Sequence, residues 1–301
     1  MVARWNHVLI VTWRLSFAII GVFGNTTLAY MIMTRKQLQS KSSYLLAIQS
    51  LGQNWDLLSP LIDTFLVYTN QHVTRGTCVY FIQPHLFFSC FQCIGMFNIL
   101  LDILIIIYYP NYYRTTSTAS YLIKMMIAPI IFGAIFVVPG FMGMDDEVLV
   151  SCSLPTALTT TTFHWFFRST ILINTITFVL FIILLSYFHR KGKESEAKEP
   201  KKVMDRLKVS VFIFLFSWYL SMFALDFYVT IGLTGDTLTT AFMNTVPILL
   251  FAFSQNFYVI VWKSREYRNE FLKMWGFRRS DKKKNSIWSI SGVNRKTSVK
   301  Q

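Results

Sequence analysis

Apolar residues recur along this chain in seven long stretches, at roughly 8–33, 43–68, 78–108, 121–142, 164–188, 208–232 and 240–262. A helix needs about 20 apolar residues to cross the ~30 Å of hydrocarbon in a bilayer, and each stretch is long enough. Polar segments separate the stretches. The pattern predicts an all-α integral membrane bundle of seven transmembrane helices. An odd number of spans puts the two ends on opposite faces, which narrows the function classes to receptor, transporter, channel or intramembrane enzyme.

The charges orient the bundle. Arg35, Lys36 and Lys41 lie between spans 1 and 2, Arg114 between spans 3 and 4 with Lys124 at the start of span 4, and the segment from Arg190 to Lys208 between spans 5 and 6 is net basic. From Lys263 to Gln301 there are twelve Lys and Arg against three acids. The other loops carry Asp145, Asp146 and Glu147, then Asp236, with Arg75 alone between spans 2 and 3. Lys and Arg collect in cytoplasmic loops, so the N-terminus is predicted outside and the C-terminus inside. The net charge of +14 follows from this asymmetry, and nucleic acid is not an expected partner. The partner that the spans themselves imply is the lipid bilayer.

Span 1 is expected to act as its own insertion signal, and with about seven residues before it a ligand must enter the bundle itself. Residues 1–275 then form one membrane domain. Within it, 264–275 reads as an amphipathic helix on the inner leaflet, with Tyr267, Phe271, Met274 and Trp275 on one face. Residues 276–301 read as a disordered basic tail.

Of the four cysteines, Cys78 opens span 3 on the outer side and Cys152 lies in the acidic outer loop. Both face an oxidising compartment, so a disulfide between them is expected. Cys90 and Cys93 read as packing residues. The five histidines are scattered, with no pair at helical spacing. No metal site, cofactor or catalytic centre is predicted, and an intramembrane hydrolase is disfavoured. A transporter or channel is disfavoured too, since the spans show neither matched halves nor paired Gly/Pro breaks.

Several short motifs occur in order: Gly24-Asn25, Leu38 to Leu51, Asp102 to Pro110 and Tyr113, Cys152-Ser153-Leu154-Pro155, Phe216-Ser217-Trp218-Tyr219, and Ser254-Gln255-Asn256-Phe257-Tyr258. Together they resemble the rhodopsin-like G-protein-coupled receptors and, more narrowly, the nematode serpentine chemoreceptors of the srsx class. The resemblance spans nearly all of residues 15–275. It implies a heterotrimeric G protein as partner and the plasma membrane, in the cilia of chemosensory neurons, as the location. It also implies an activation core at Asn25, Gln53, Asp56, Trp218 and Asn256, and a coupling face at Asp102, Ile103, Pro110 and Tyr113.

The chain departs from that pattern in three places. Ile103 stands where such receptors carry an Arg that engages the G protein or an acid on span 6, and Ile has no donor. A weakly coupling partner receptor is therefore an alternative reading. Gln53 stands where they carry a span 2 acid, with Asp56 three residues on. The span 7 motif lacks its proline, so the kink that proline supports is expected to be absent.

Ionisable groups inside a membrane usually face the bundle interior. His85, Ser89, Arg168, Asp226, Asp63 and Trp165 are the candidate ligand-binding residues. A structural network joining Arg168 to an acid, and an interfacial belt containing Trp165, are equally open readings. Asp102 reads either as a solvated helix-end acid or as the group that sets the inner loop. Arg14, near the outer end of span 1, is expected to snorkel to the interface.

Overall fold

The computed structural model describes residues 2–69, 73–142, 144–149, 152–191, 198–233 and 235–276. It is an all-α bundle. The helices are α1 (Val2–Thr34), α2 (Lys41–Tyr68), α3 (Arg75–Tyr108), α4 (Pro110–Thr115), α5 (Thr118–Met142), α6 (Leu154–Ala157), α7 (Thr160–Lys191), α8 (Lys198–Thr230), α9 (Gly235–Ser254), α10 (Asn256–Lys263) and α11 (Arg265–Met274). Spans 1 to 3 are α1 to α3, spans 4 to 6 are α5, α7 and α8, and span 7 is α9 with α10. Among the described residues, five helices are long and apolar enough to cross a membrane, or six if the bent pair α9–α10 counts as one. The seventh span is α2. Its 28 residues reach about 42 Å as a helix, but Gln49, Gln53, Asn54, Asp56 and Asp63 lower its apolar content.

The faces divide by period. In span 4, Ile123, Ile127, Ile130, Ile131, Ile135 and Val138 are exposed, while Tyr121, Met125 and Phe136 are buried. Apolar residues on the outside, at a spacing of three and four, are what a lipid-facing helix requires. Span 3 is buried along most of its length and runs through the middle of the bundle.

The outer face is closed by the segment between spans 4 and 5. Val148–Leu149 pairs antiparallel with Val73–Thr74 just before span 3. Thr74 caps that span, its hydroxyl accepting from the Thr77 N–H. Arg75 pairs with Asp145 and with Glu147 (2.6 Å for the latter), which places the loop acids against the one cation of the facing loop. Cys78 and Cys152 form the expected disulfide, with Cα atoms 5.4 Å apart. Cys90 and Cys93 are buried free thiols.

At the inner end, α11 turns part of its apolar face toward the bundle and not only toward lipid. Tyr267 is buried and donates to Ser43 Oγ at 3.0 Å. Phe271 meets Phe257 with ring centroids 5.2 Å apart, and Trp275 stays half exposed. The segment after Gly276, read as a disordered tail, lies outside the described residues.

Replacing Cys78 or Cys152 with Ser should release the cap from span 3. Surface labelling of intact cells is expected to show reduced receptor for each variant, and no further loss in the double variant.

Candidate functional site

Beneath the disulfide-tied segment lies a cavity of about 90 Å³, in the outer half of the bundle. Six of the seven spans contribute to its wall: Arg14 from span 1, Ser59, Pro60 and Asp63 from span 2, His85 and Ser89 from span 3, Phe167 from span 5, Trp218 and Met222 from span 6, and Phe242 and Phe253 from span 7. The wall is mainly apolar with a few polar groups, the usual make-up of a small-molecule site.

Arg14 does not snorkel. It is 4% exposed, its Nη1 donates to Asp63 Oδ2 at 2.8 Å, and it also reaches Thr64 Oγ1 at 2.8 Å and the Pro60 carbonyl at 3.2 Å. The partner on span 2 wins over the aqueous interface because it offers a carboxylate and two further acceptors within reach. Asp63 in turn accepts the Cys152 N–H at 3.1 Å. One acid therefore joins span 1, span 2 and the outer cap.

A second polar group lies deeper. Asp56, fully buried, accepts from Ser89 Oγ at 3.0 Å and meets His85 Nδ1 at 2.9 Å. His85 and Ser89 reach the cavity; Asp56 sits behind them.

Span 5 departs from expectation. Phe163, Phe166, Phe167, Thr170 and Asn174 are buried, a spacing of three and four residues that defines the inward face. Trp165 and Arg168 lie off that face, are exposed, and do not line the cavity. Asp226 is half-buried and meets His164 at 3.3 Å rather than Arg168. Of the six proposed ligand-binding residues, His85, Ser89 and Asp63 line the cavity, while Arg168, Asp226 and Trp165 do not. Arg14 lines the cavity as well, and the mark of its inward position in the sequence is an opposite charge, Asp63, at matching depth on the neighbouring span.

The floor of the cavity is Trp218, fully buried, stacked on Phe214 at 5.1 Å and edge-on to Phe253 at 5.2 Å. Phe253 lies beside a break in span 7, where α9 and α10 meet at 41°. The bend forms without a proline at the break. Asn25 Nδ2 donates to the Phe253 carbonyl at 3.0 Å. Gln255 donates to the Ser210 carbonyl and hydroxyl on span 6 at 3.2 and 3.0 Å. Asn256 accepts from Ser210 Oγ and donates to Gln53 Oε1 at 2.8 Å. Asn25 on span 1 thus takes up a backbone carbonyl that a straight ladder would have used, while Gln53 on span 2 and Ser210 on span 6 hold the side chains of Asn256 and Gln255 at the break.

At the inner end of span 3, Asp102 is buried and accepts from Ser42 and from Tyr121 (2.6 Å). It is not a solvated helix end. Beside it Lys41 donates to the carbonyls of Tyr113 and Thr116 (2.7 Å for the latter) and lies over the Tyr113 ring. Burial, and then the nearby Asp102 charge, pushes the Tyr113 phenol up to about 12, so it stays protonated at neutral pH. Pro110 is exposed at the first turn of α4, where its fixed φ suits a helix start. Ile103 is fully buried in the core. Among the described residues no three His, Cys, Asp or Glu side chains converge as a metal site would need.

A family model described as serpentine type 7TM GPCR chemoreceptor Srsx matches residues 18–275. None of the curated proteins matches the chain.

Removing one partner of a buried ion pair costs about 3–5 kcal/mol, while replacing both with apolar groups is often neutral. Arg14→Met should therefore lower the thermal midpoint of the purified protein clearly. Arg14→Met combined with Asp63→Leu should recover much of the loss, short of the share owed to the Cys152 N–H. Asp226→Leu should change the midpoint far less than Arg14→Met.

Proposed function

Since the chain belongs to the serpentine type 7TM GPCR chemoreceptor Srsx family, we propose that its small-molecule ligand occupies the outer-half cavity and that its inner face signals to a heterotrimeric G protein. The family supports a chemosensory receptor role, and the chain is a multi-pass membrane protein. Its placement in the plasma membrane, in the cilia of sensory neurons, is part of the proposal.

One observation carries the reading: the floor of the cavity, Trp218, is in ring contact with Phe253 at the bend of span 7. A ligand shifts a receptor only by binding one arrangement more tightly than the other. A molecule packed on Trp218 and Phe253 touches the element whose break is tied to span 6 through Gln255 and Ser210 and to span 2 through Asn256 and Gln53. Rearrangement there moves the inner part of span 6 relative to spans 2 and 3. The inner loop ordered by Asp102 and Lys41, together with α11, would present the coupling surface.

Ile103 favours a second reading. Its burial fills with hydrocarbon a place where related receptors hold a cation, so the inner end of span 3 has no guanidinium to offer a G protein. A receptor of this kind would bind ligand and couple weakly.

A G-protein dissociation sensor in cells, with a broad small-molecule panel, separates these readings. A dose-dependent signal from the unmodified chain is the expected result. Silence from it with a response from Ile103→Arg supports weak coupling. Silence from both at normal surface levels contradicts the proposal. Trp218→Ala is expected to abolish the response while ligand binding is only weakened.

A further inference from the structure

The polar atoms around the cavity are unevenly spent. Asp63 has both carboxylate oxygens occupied, one by Arg14 and one by the Cys152 N–H. Asp56 does not reach the cavity, and one of its oxygens is taken up by His85 and Ser89. No acid on the wall is left for a ligand cation. Arg14 is committed to Asp63, so a ligand carboxylate would compete with a bond already made.

Among the buried polar atoms of the wall that have no partner, donors prevail. The Trp218 indole N–H and the Arg14 Nε–H have no partner, nor does the Ser59 hydroxyl, and all three side chains are at most 4% exposed. Indole and guanidinium nitrogens can only donate. An apolar group set against them would leave those donors unpaired, whereas an oxygen acceptor would satisfy them. A charged group would be stripped of water with no free counter-charge on the wall. Most of the remaining lining, such as Ile82, Leu225 and Val246, is apolar; of its polar side chains, His85 and Ser89 bond Asp56 and Ser153 bonds Thr156.

We propose that the cavity selects neutral, compact, mainly apolar molecules carrying a carbonyl or ether oxygen, and rejects amines and carboxylates of the same shape. This rests on the reading of the cavity as the ligand site.

The test uses the full chain in lipid nanodiscs and four ring compounds of similar shape: cyclohexanone, cyclohexylamine, cyclohexanecarboxylic acid and methylenecyclohexane. Binding is read as the shift of the thermal unfolding midpoint with concentration. Cyclohexanone is expected to bind about tenfold or more tightly than each of the others, the scale of one buried hydrogen bond together with an avoided unpaired donor. Trp218→Phe keeps the ring and removes the N–H, and should shrink the gap between the ketone and the alkene. Ser59→Ala provides the same comparison through a second donor. Tighter binding of the amine or the acid, or equal binding of ketone and alkene, overturns the proposed chemistry while leaving the cavity as the site. Leu225→Trp, which fills the cavity, should abolish ketone binding. Undiminished binding in that variant, or no binding of any compound to the unmodified chain, overturns the cavity reading itself.

Discussion

Hydrocarbon offers no hydrogen-bond partners, so the polar side chains of span 2 must find theirs inside the bundle. The partners they find position the neighbouring spans. Gln49 donates to the Gln92 carbonyl on span 3 at 3.1 Å, and Gln92 returns the bond to the Gln49 carbonyl at 3.0 Å. This crossing brings span 3 so close that a Cβ on Gly95 would collide with the Gln49 side chain. Gln53 holds Asn256 of span 7, Asp56 holds His85 and Ser89 of span 3, and Asp63 holds Arg14 of span 1 and the backbone of the outer cap. At the inner end Ser42 reaches Asp102 and Ser43 receives Tyr267. The least apolar span is thus the one to which spans 1, 3 and 7 are registered.

The same registration separates a wet-capable outer half from a packed inner half. Above Trp218 the polar groups are spaced around a cavity; below it the contacts close into the Gln53, Ser210, Gln255 and Asn256 cluster. The bend of span 7 lies between the two. It is held by side chains from other helices rather than by a proline at the break, so its angle depends on the relative positions of spans 1, 2 and 6. That dependence supplies a physical link from a ligand on Trp218 to the inner face, in place of one resting on distance alone.

Much of this was legible in the sequence. Apolar runs located the spans, and compartment chemistry paired Cys78 with Cys152. Depth along each span also placed His85, Ser89 and Asp63 near the outer cavity. Rotation about the helix axis was harder to read. Arg168 and Trp165 sit at the right depth but on the outward side of span 5, a distinction visible only through the burial of Phe163, Phe166 and Phe167 at helical spacing. Arg14 was assigned to the interface because a single span does not reveal its partner; Asp63 is 49 residues away. The bend in span 7 was unreadable for a related reason, since the groups that hold it, Asn25, Ser210 and Gln53, belong to three other helices.

The most direct measurement is substituted-cysteine protection. Met243→Cys places a thiol in the cavity wall, and Arg168→Cys places one at similar depth on the outward face of span 5. Each is made in a chain with Cys90 and Cys93 replaced by Ala, then exposed to a small thiol reagent with and without an activating compound. The compound should slow modification at position 243 and leave position 168 unchanged. Protection at 168 with none at 243 would place the ligand outside the bundle and contradict this account.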